Sequence, residues 1–300
     1  MPSVEKTTSL RELLQGSAPV TATLVSNPLM ARMAEDAGFR ALYLGGGMLG
    51  YTKVVLEANL NITELVQAGI DIRTVCSLPL ILDGATGFGD PMHMHRTIPM
   101  AEAAGFAAIE IEDQLVPKRA HHHVGIEHLI PSELMEAKVR EAVAARRGEE
   151  LLIIARTNAI RSTDFEDAIS RAVAYKRAGA DLIMLSPRNR EELQAIADRV
   201  EPPFQLLVPA GGATQLGMSM EELAEHGFRL LIDAAKPMLV AFRAWKELYG
   251  STAEDLSSPA LTAEDARDLA RELNEAVGIE RLLRIERETV ETGETGESGG

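Results

Sequence analysis

Apolar and polar positions along this chain repeat on two length scales. Short continuous runs of aliphatic and β-branched residues recur, each followed by a longer stretch in which apolar positions return every three or four residues. The first pattern is that of a strand buried on both faces, the second that of a helix lying over it. The runs cover residues 20–25, 41–44, 78–83, 107–112, 151–156, 181–186, 205–208 and 229–232. Eight such units in series predict a (β/α)8 TIM barrel, with a doubly wound open sheet as the alternative; no GxGxxG turn follows the first run, which weakens the alternative.

Punctuation along the chain agrees with these units. Ala37-Gly38-Phe39, Ala104-Gly105-Phe106, Ala178-Gly179-Ala180 and His226-Gly227-Phe228 each precede a strand, and their glycines are expected to end helices in the left-handed conformation. Capping boxes are expected at Ser9 with Glu12, Thr163 with Glu166, and Ser219 with Glu222. A helix over 10–15 precedes the first strand, and 262–277 and the segment after it read as appended C-terminal helices. Residues 1–290 are expected to form one barrel domain with that extension, and 291–300, made only of Gly, Glu, Thr and Ser, a disordered tail.

Composition narrows the partners. The 300 residues are 46% hydrophobic and 25% charged, enough apolar surface for a large core, and the formal charge of −15 argues against nucleic acid and anionic membranes. No apolar run is long enough to span a bilayer. A lone cysteine, Cys76, and the lack of a basic, then apolar, leader predict a cytoplasmic protein.

In such a barrel the chemistry belongs at the C-terminal ends of the strands. Those ends offer Ser26-Asn27, Gly45-Gly46-Gly47, Asp83 with Thr86-Gly87-Phe88-Gly89, Glu112-Asp113-Gln114, Arg156-Thr157-Asn158, Ser186, Pro209 and Asp233. Asp83 and Glu112 fall on neighbouring strands and supply hard oxygen donors suited to Mg²⁺ or Mn²⁺. Arg156 has the fork that grips a carboxylate or phosphonate, and Lys118 and Arg119 follow the fourth strand, so an anionic substrate is expected.

The set Gly45-Gly46-Gly47, Asp83-Gly84-Ala85-Thr86-Gly87-Phe88-Gly89, Ile111-Glu112-Asp113-Gln114, Pro117-Lys118-Arg119 and Ala155-Arg156-Thr157-Asn158-Ala159 resembles the isocitrate lyase and phosphoenolpyruvate mutase superfamily, over about residues 10–250. The resemblance implies a Mg²⁺-dependent enzyme that makes or breaks a bond beside the carboxylate of a small 2-oxo or 2-hydroxy acid through a pyruvate-like enolate. By position, Asp83 and Glu112 would hold the metal, the turn of Gly45, Gly46 and Gly47 would offer backbone N–H groups to substrate, and Arg156, with Asn158 and Ser186, would bind it. Lys118 would ride on a mobile gating loop. Family members are commonly homotetramers that exchange a C-terminal helix, so a homo-oligomer, dimer or tetramer, is implied.

The chain also departs from that pattern. The lyase loop reads Lys-Arg-Cys-Gly-His, with the cysteine as acid/base; here it reads Lys118-Arg119-Ala120-His121-His122-His123. The Asp-x-Asp metal motif is Asp83-Gly84-Ala85. Ser186 and Pro209 stand where lyases tend to carry Glu and Asn, and the carboxylate after strand two has no clear counterpart, though Glu57 is near. His122 holds the position of the family's loop histidine and is the first candidate to move protons in place of the thiol.

Each candidate has a plainer interpretation. Asp83 could cap a helix, Arg156 could pair with Glu112 or Asp83, and the histidines could line a solvated loop; three consecutive histidines converge poorly on one ion. Met92, Met94 and Met100 read as core packing, and His93 and His95 as surface residues. The expected activity is a Mg²⁺-dependent carbon–carbon lyase or decarboxylase acting on a small 2-oxo or 2-hydroxy di- or tricarboxylic acid. The alternatives are phosphonopyruvate-type phosphorus–carbon chemistry, with which Ser186 is compatible, and a ligand-binding relative without catalysis.

Overall fold

The computed structural model describes residues 8–253 and 261–290. The proposed tail at 291–300 lies outside them. Eight parallel strands close into a barrel in chain order: β1 (Val20–Val25), β2 (Ala41–Leu44), β3 (Leu80–Asp83), β4 (Ala108–Glu112), β5 (Leu152–Arg156), β6 (Leu182–Met184), β7 (Phe204–Leu207) and β8 (Phe228–Asp233). β8 returns to β1 with Val20 opposite Leu230, which removes both sheet edges. This is the (β/α)8 fold that the spacing of apolar runs predicts.

Strand parity sorts the core into two layers. Val20, Ala22, Leu24, Ile81, Ala108, Leu152, Ile154, Leu182, Leu230 and Ile232 fill the barrel interior. Leu42, Leu44, Leu80, Leu82, Ile109, Ile111, Ile153 and Ile183 face outward against the helices. Gly38, Gly105, Gly179 and Gly227 all have positive φ, between 77° and 108°, as expected for helix ends that must turn at once into a strand.

Beyond shifts of one or two residues at the ends of β3, β4, β5, β7 and β8, three local readings change. The strand expected over 181–186 shortens to Leu182–Met184; just before it the Asp181 N–H donates to Ile153 O at 2.8 Å while its carboxylate takes Arg11, Arg146 and the Ile153 N–H. The capping box at Thr163 and Glu166 is replaced by a cap one residue later, where Asp164 accepts from the Asp167 N–H at 2.8 Å. Thr163 meanwhile closes the preceding turn through Ala159 O, and Glu166 pairs with Arg199. Met94 is buried in the core as expected, but Met92 is 74% exposed.

The chain divides into two compact units, residues 1–239 and 240–300. The helix Lys236–Thr252 leads into the second, which also contains helices Ala263–Val277, capped by Thr262, and Ile279–Thr289. Among the described residues no helix is long and apolar enough to cross a membrane.

Candidate active site

The inward parity that buries Ile81, Ala108 and Ile154 carries on to the polar residues at the tops of β2 to β5. Tyr43, Asp83, Glu110, Glu112 and Arg156 therefore converge inside the barrel mouth, joined by Gln205 from β7. The register sets Asp83 opposite Glu110 and Glu112 opposite Arg156. All are nearly closed off from solvent: Glu112 is 0% exposed and Asp83 8%.

Arg156 is the hub. Its Nη1 donates to Glu110 Oε1 at 2.9 Å, its Nε lies 3.4 Å from Glu112 Oε2, and Nε and Nη2 each donate to Asn158 Oδ1 at 3.2 Å. A guanidinium has five N–H donors, so two remain for a ligand. The plainer interpretation of Arg156, a structural ion pair, is thus partly realised, while the pair leaves donors over. Asn158, a candidate substrate ligand, spends its amide on Arg156 and on Glu112 Oε2 at 2.9 Å. Glu112 also accepts from Gln114 at 3.0 Å.

Lys118 is drawn deep into the site, 8% exposed, with Nζ 2.8 Å from Glu57 Oε1 and 2.5 Å from Glu112 Oε1. Glu57 fills the gap left after strand two. It stands on the 3-10 turn Glu57–Asn59, 7% exposed, and a Cβ on Gly46 would sit 2.4 Å from its Cγ. Gly46 is thus small so that Glu57 can reach inward. Gly45 and Gly46 open the helix Gly46–Thr52 beside it.

Charge explains the protonation pattern. Burial and the nearby Asp83 push the Glu57 carboxyl up to about 8. Burial opposes ionisation of Glu112 too, but Arg156 and Lys118 overcome it and hold that group down at about 2. Burial raises Glu110 as well, with Arg156 pulling the other way, and raises the Tyr43 hydroxyl, which donates to Glu110 Oε2 at 3.3 Å. Gln205 donates to the same oxygen. Four carboxylates thus face two cations in a space that resists further negative charge.

The loop after β3 is pinned from several sides. Ala85 and Phe88 take positive φ, 46° and 61°, which costs a non-glycine residue about 1–3 kcal/mol. The Ala85 N–H donates to Asp83 Oδ1 at 3.0 Å, and Glu112 N–H to Ala85 O at 2.8 Å. Asp83 therefore caps its own loop turn instead of a helix. From the helix Ser132–Ala145, the buried Lys138 donates to Thr86 O at 2.5 Å.

Three histidines take three directions. His121 Nδ1 meets His128 Nε2 at 2.8 Å in the open; His123 faces the Tyr51 hydroxyl at 3.5 Å; His122 turns inward, its Nδ1 2.7 Å from Glu127 Oε2 and 3.0 Å from Gln114 Nε2. The loop is closed at its base by the bridge between Gln114 and Leu129. Ser186 lies just past β6, half-buried, away from these contacts. A cavity of about 620 Å³ lined by Arg73, Glu102 and Arg147 opens at the opposite end, near the starts of β3 to β5, and holds none of these side chains.

Residues 10–252 match the phosphoenolpyruvate phosphomutase family. The chain belongs to that family. Within the isocitrate lyase and PEP mutase superfamily, it is 32% identical to a 2,3-dimethylmalate lyase of Eubacterium barkeri, over 92% of this chain and 96% of that protein. It is 38% identical to a 2-methylisocitrate lyase of Aeropyrum pernix, over 74% of this chain and 72% of the relative. A phosphonopyruvate hydrolase solved with oxalate and Mg²⁺ superposes with a TM-score of 0.78 at 28% identity, covering 94% of this chain and 98% of that one.

Sequence reasoning missed Glu110, Tyr43 and Gln205. For Glu110 a signal existed: Glu110 and Glu112 are two apart on one strand and must share a face.

Proposed function

We propose that this PEP mutase family member is a Mg²⁺-dependent carbon–carbon lyase, or decarboxylase, acting on a small 2-oxo or 2-hydroxy di- or tricarboxylic acid through a pyruvate-type enolate. The observation that carries it is the crowding of buried carboxyl groups: among the described residues Glu57, Asp83, Glu110 and Glu112 share two cations, Lys118 and Arg156, and burial with this crowding pushes Glu57 up to about 8. Asp83 and Glu112, from neighbouring strands, offer the hard carboxylate oxygens that suit an ion keeping much of its water. Asp83 and Glu112 would hold Mg²⁺, or Mn²⁺, which when bound offsets the charge that grows on an enolate oxygen.

The chain's own groups do the rest. The two spare N–H donors of Arg156 bind the substrate carboxylate. Lys118, inside the site, adds positive charge beside the developing enolate, and the loop bearing it screens the site from water. Gly45, Gly46 and Gly47 present backbone N–H groups, Asn158 fixes Glu112 and Arg156, and Ser186 borders the far side of the substrate. His122, where the lyases have their loop histidine, moves the proton that a thiol at position 120 cannot.

A screen of 2-oxo and 2-hydroxy diacids with coupled detection of pyruvate tests the activity; turnover unaffected by EDTA would remove the metal from it. Phosphorus–carbon chemistry is the second reading, supported by the likeness to phosphonopyruvate hydrolase. Phosphorus NMR of a reaction with phosphonopyruvate decides it, and an unchanged spectrum excludes it. We place the enzyme in the cytoplasm as a homo-oligomer, dimer or tetramer, since Leu269, Leu273, Leu282, Leu283 and Ile285 leave apolar surface on the last two helices. Sedimentation of the full chain checks this.

A further inference from the structure

His122 is held by one side of its ring. Glu127 Oε2 lies 2.7 Å from Nδ1, and the Glu127 side chain is 1% exposed while that of His122 is 15% exposed. The other carboxylate oxygen, Glu127 Oε1, is buried without a hydrogen-bond partner among the described residues, so the imidazole is the main group answering this buried acid. Gln114 Nε2 approaches the same Nδ1 at 3.0 Å while also 3.0 Å from Glu112 Oε2.

These two contacts make opposite demands. Glu127 needs a proton on Nδ1, whereas the Gln114 amide can donate to Nδ1 only if that nitrogen is bare. A carboxylate is the stronger acceptor, so Nδ1 carries the proton toward Glu127 and the Gln114 N–H goes to Glu112. We infer that Glu127 is a positioning residue that fixes the His122 tautomer, leaving Nε2 as the free base that exchanges a proton with substrate. This rests on His122 being the proton carrier proposed above.

The step balances on one proton. Nε2 takes the proton of a substrate hydroxyl as the adjacent carbon–carbon bond breaks and its electron pair passes to the enolate. The imidazolium, with Nδ1–H on Glu127, then returns that proton to the enolate carbon. Glu127 keeps Nδ1–H in place through both transfers. The charged and titratable groups facing His122 are Glu127 and His123 on its own loop, the latter with ring centroids 5.6 Å away, and beyond Gln114 the Glu112 and Lys118 pair.

The test is ¹⁵N NMR of histidine-labelled protein, with His122→Asn identifying the signal, beside turnover of 2,3-dimethylmalate and 2-methylisocitrate. In the wild type the neutral His122 ring should show the Nδ1–H tautomer. Glu127→Ala should switch it to Nε2–H as Gln114 takes over Nδ1, with kcat falling about 10–100-fold and KM little changed. Glu127→Gln keeps an acceptor but loses the charge; it should keep the Nδ1–H tautomer and restore most of the kcat that Glu127→Ala loses. A wild-type Nε2–H tautomer, or no tautomer change in Glu127→Ala, overturns the inference while leaving His122 as proton carrier. Full kcat in His122→Asn instead removes His122 from the chemistry, whatever the tautomer.

Discussion

The two halves of the barrel mouth differ sharply in what their strand ends carry. From β2 to β5, the inward positions and the loops above them supply Glu57, Asp83, Glu110, Glu112, Lys118 and Arg156, all buried. From β6 to β8, Ser186 and Pro209 follow their strands and Asp233 ends β8, where it spends its carboxylate on the next helix, accepting from Lys236 N–H at 3.1 Å and pairing with the Lys236 ammonium at 3.3 Å. Backbone strain divides the same way: among the described residues the non-glycine positions with positive φ are Val54, Ala85 and Phe88, all in the loops after β2 and β3. One fold thus gathers a buried, charged and strained quadrant on one side of its mouth and a quadrant with few buried charges on the other.

Removing a charge from the first quadrant should therefore cost far more than any change in the second. Asp83→Ala should lower kcat by about 10³-fold or more, and abolish the heat of Mg²⁺ binding in calorimetry with oxalate present. Asp233→Ala should leave both within a few-fold. Equal losses in the two variants would erase the contrast. Arg156→Met leaves Glu110 and Glu112 facing each other with one cation fewer, and should cost about 3–5 kcal/mol in urea unfolding. A loss below about 1 kcal/mol would mean that the pairs at 2.9 Å and 3.4 Å contribute little to holding this buried cluster together.

The contrast was only partly legible in the linear chain. Strands declare themselves by apolar runs, and β1 and β2 fall on the expected residues because burial on both faces leaves one pattern. Asp83, Glu112 and Arg156 were readable because they end such runs. Glu110 was marked only by its parity with Glu112 and Gln205 by nothing, since a polar residue inside an apolar run announces only that something must satisfy it, and here the partners are 46 and 95 residues away. Lys118 and Glu57 meet across 61 residues, on a loop and a 3-10 turn with no periodicity to phase them. The histidine run illustrates the same limit: composition marked the loop, but only the fold shows that His122 meets Glu127 and Gln114 while His121 stays in the open.

Behind the charged quadrant, burial presses the Lys138 ammonium down to about 8, opposed by the more distant Asp90, Glu112 and Asp113. An unfolded lysine titrates near 10.4. Below pH 8 the native state therefore carries the full burden of a buried charge; between pH 8 and about 10.4 it sheds the proton while the unfolded chain keeps it, and stability rises. Lys138→Met carries no such charge. The stability of the wild type relative to that variant should thus improve by up to about 3 kcal/mol from pH 7 to pH 10.5 in urea titrations. A constant offset between the two would show that the site side of the barrel does not strain this lysine.

The smallest effect isolates strain from charge. Ala85 sits at φ 46°, a conformation glycine adopts freely, with its N–H on Asp83 and its carbonyl accepting from the Glu112 N–H. Ala85→Gly relieves about 1–2 kcal/mol of native strain. It also gives the unfolded chain back about 0.5–1 kcal/mol of entropy, so a net gain near ~0.5–1 kcal/mol is expected in thermal unfolding. The freed loop should hold Asp83 less firmly, and Mg²⁺ affinity should fall a few-fold even as the protein becomes more stable. Stability and affinity rising together would instead mean that the positive φ is incidental to where Asp83 points.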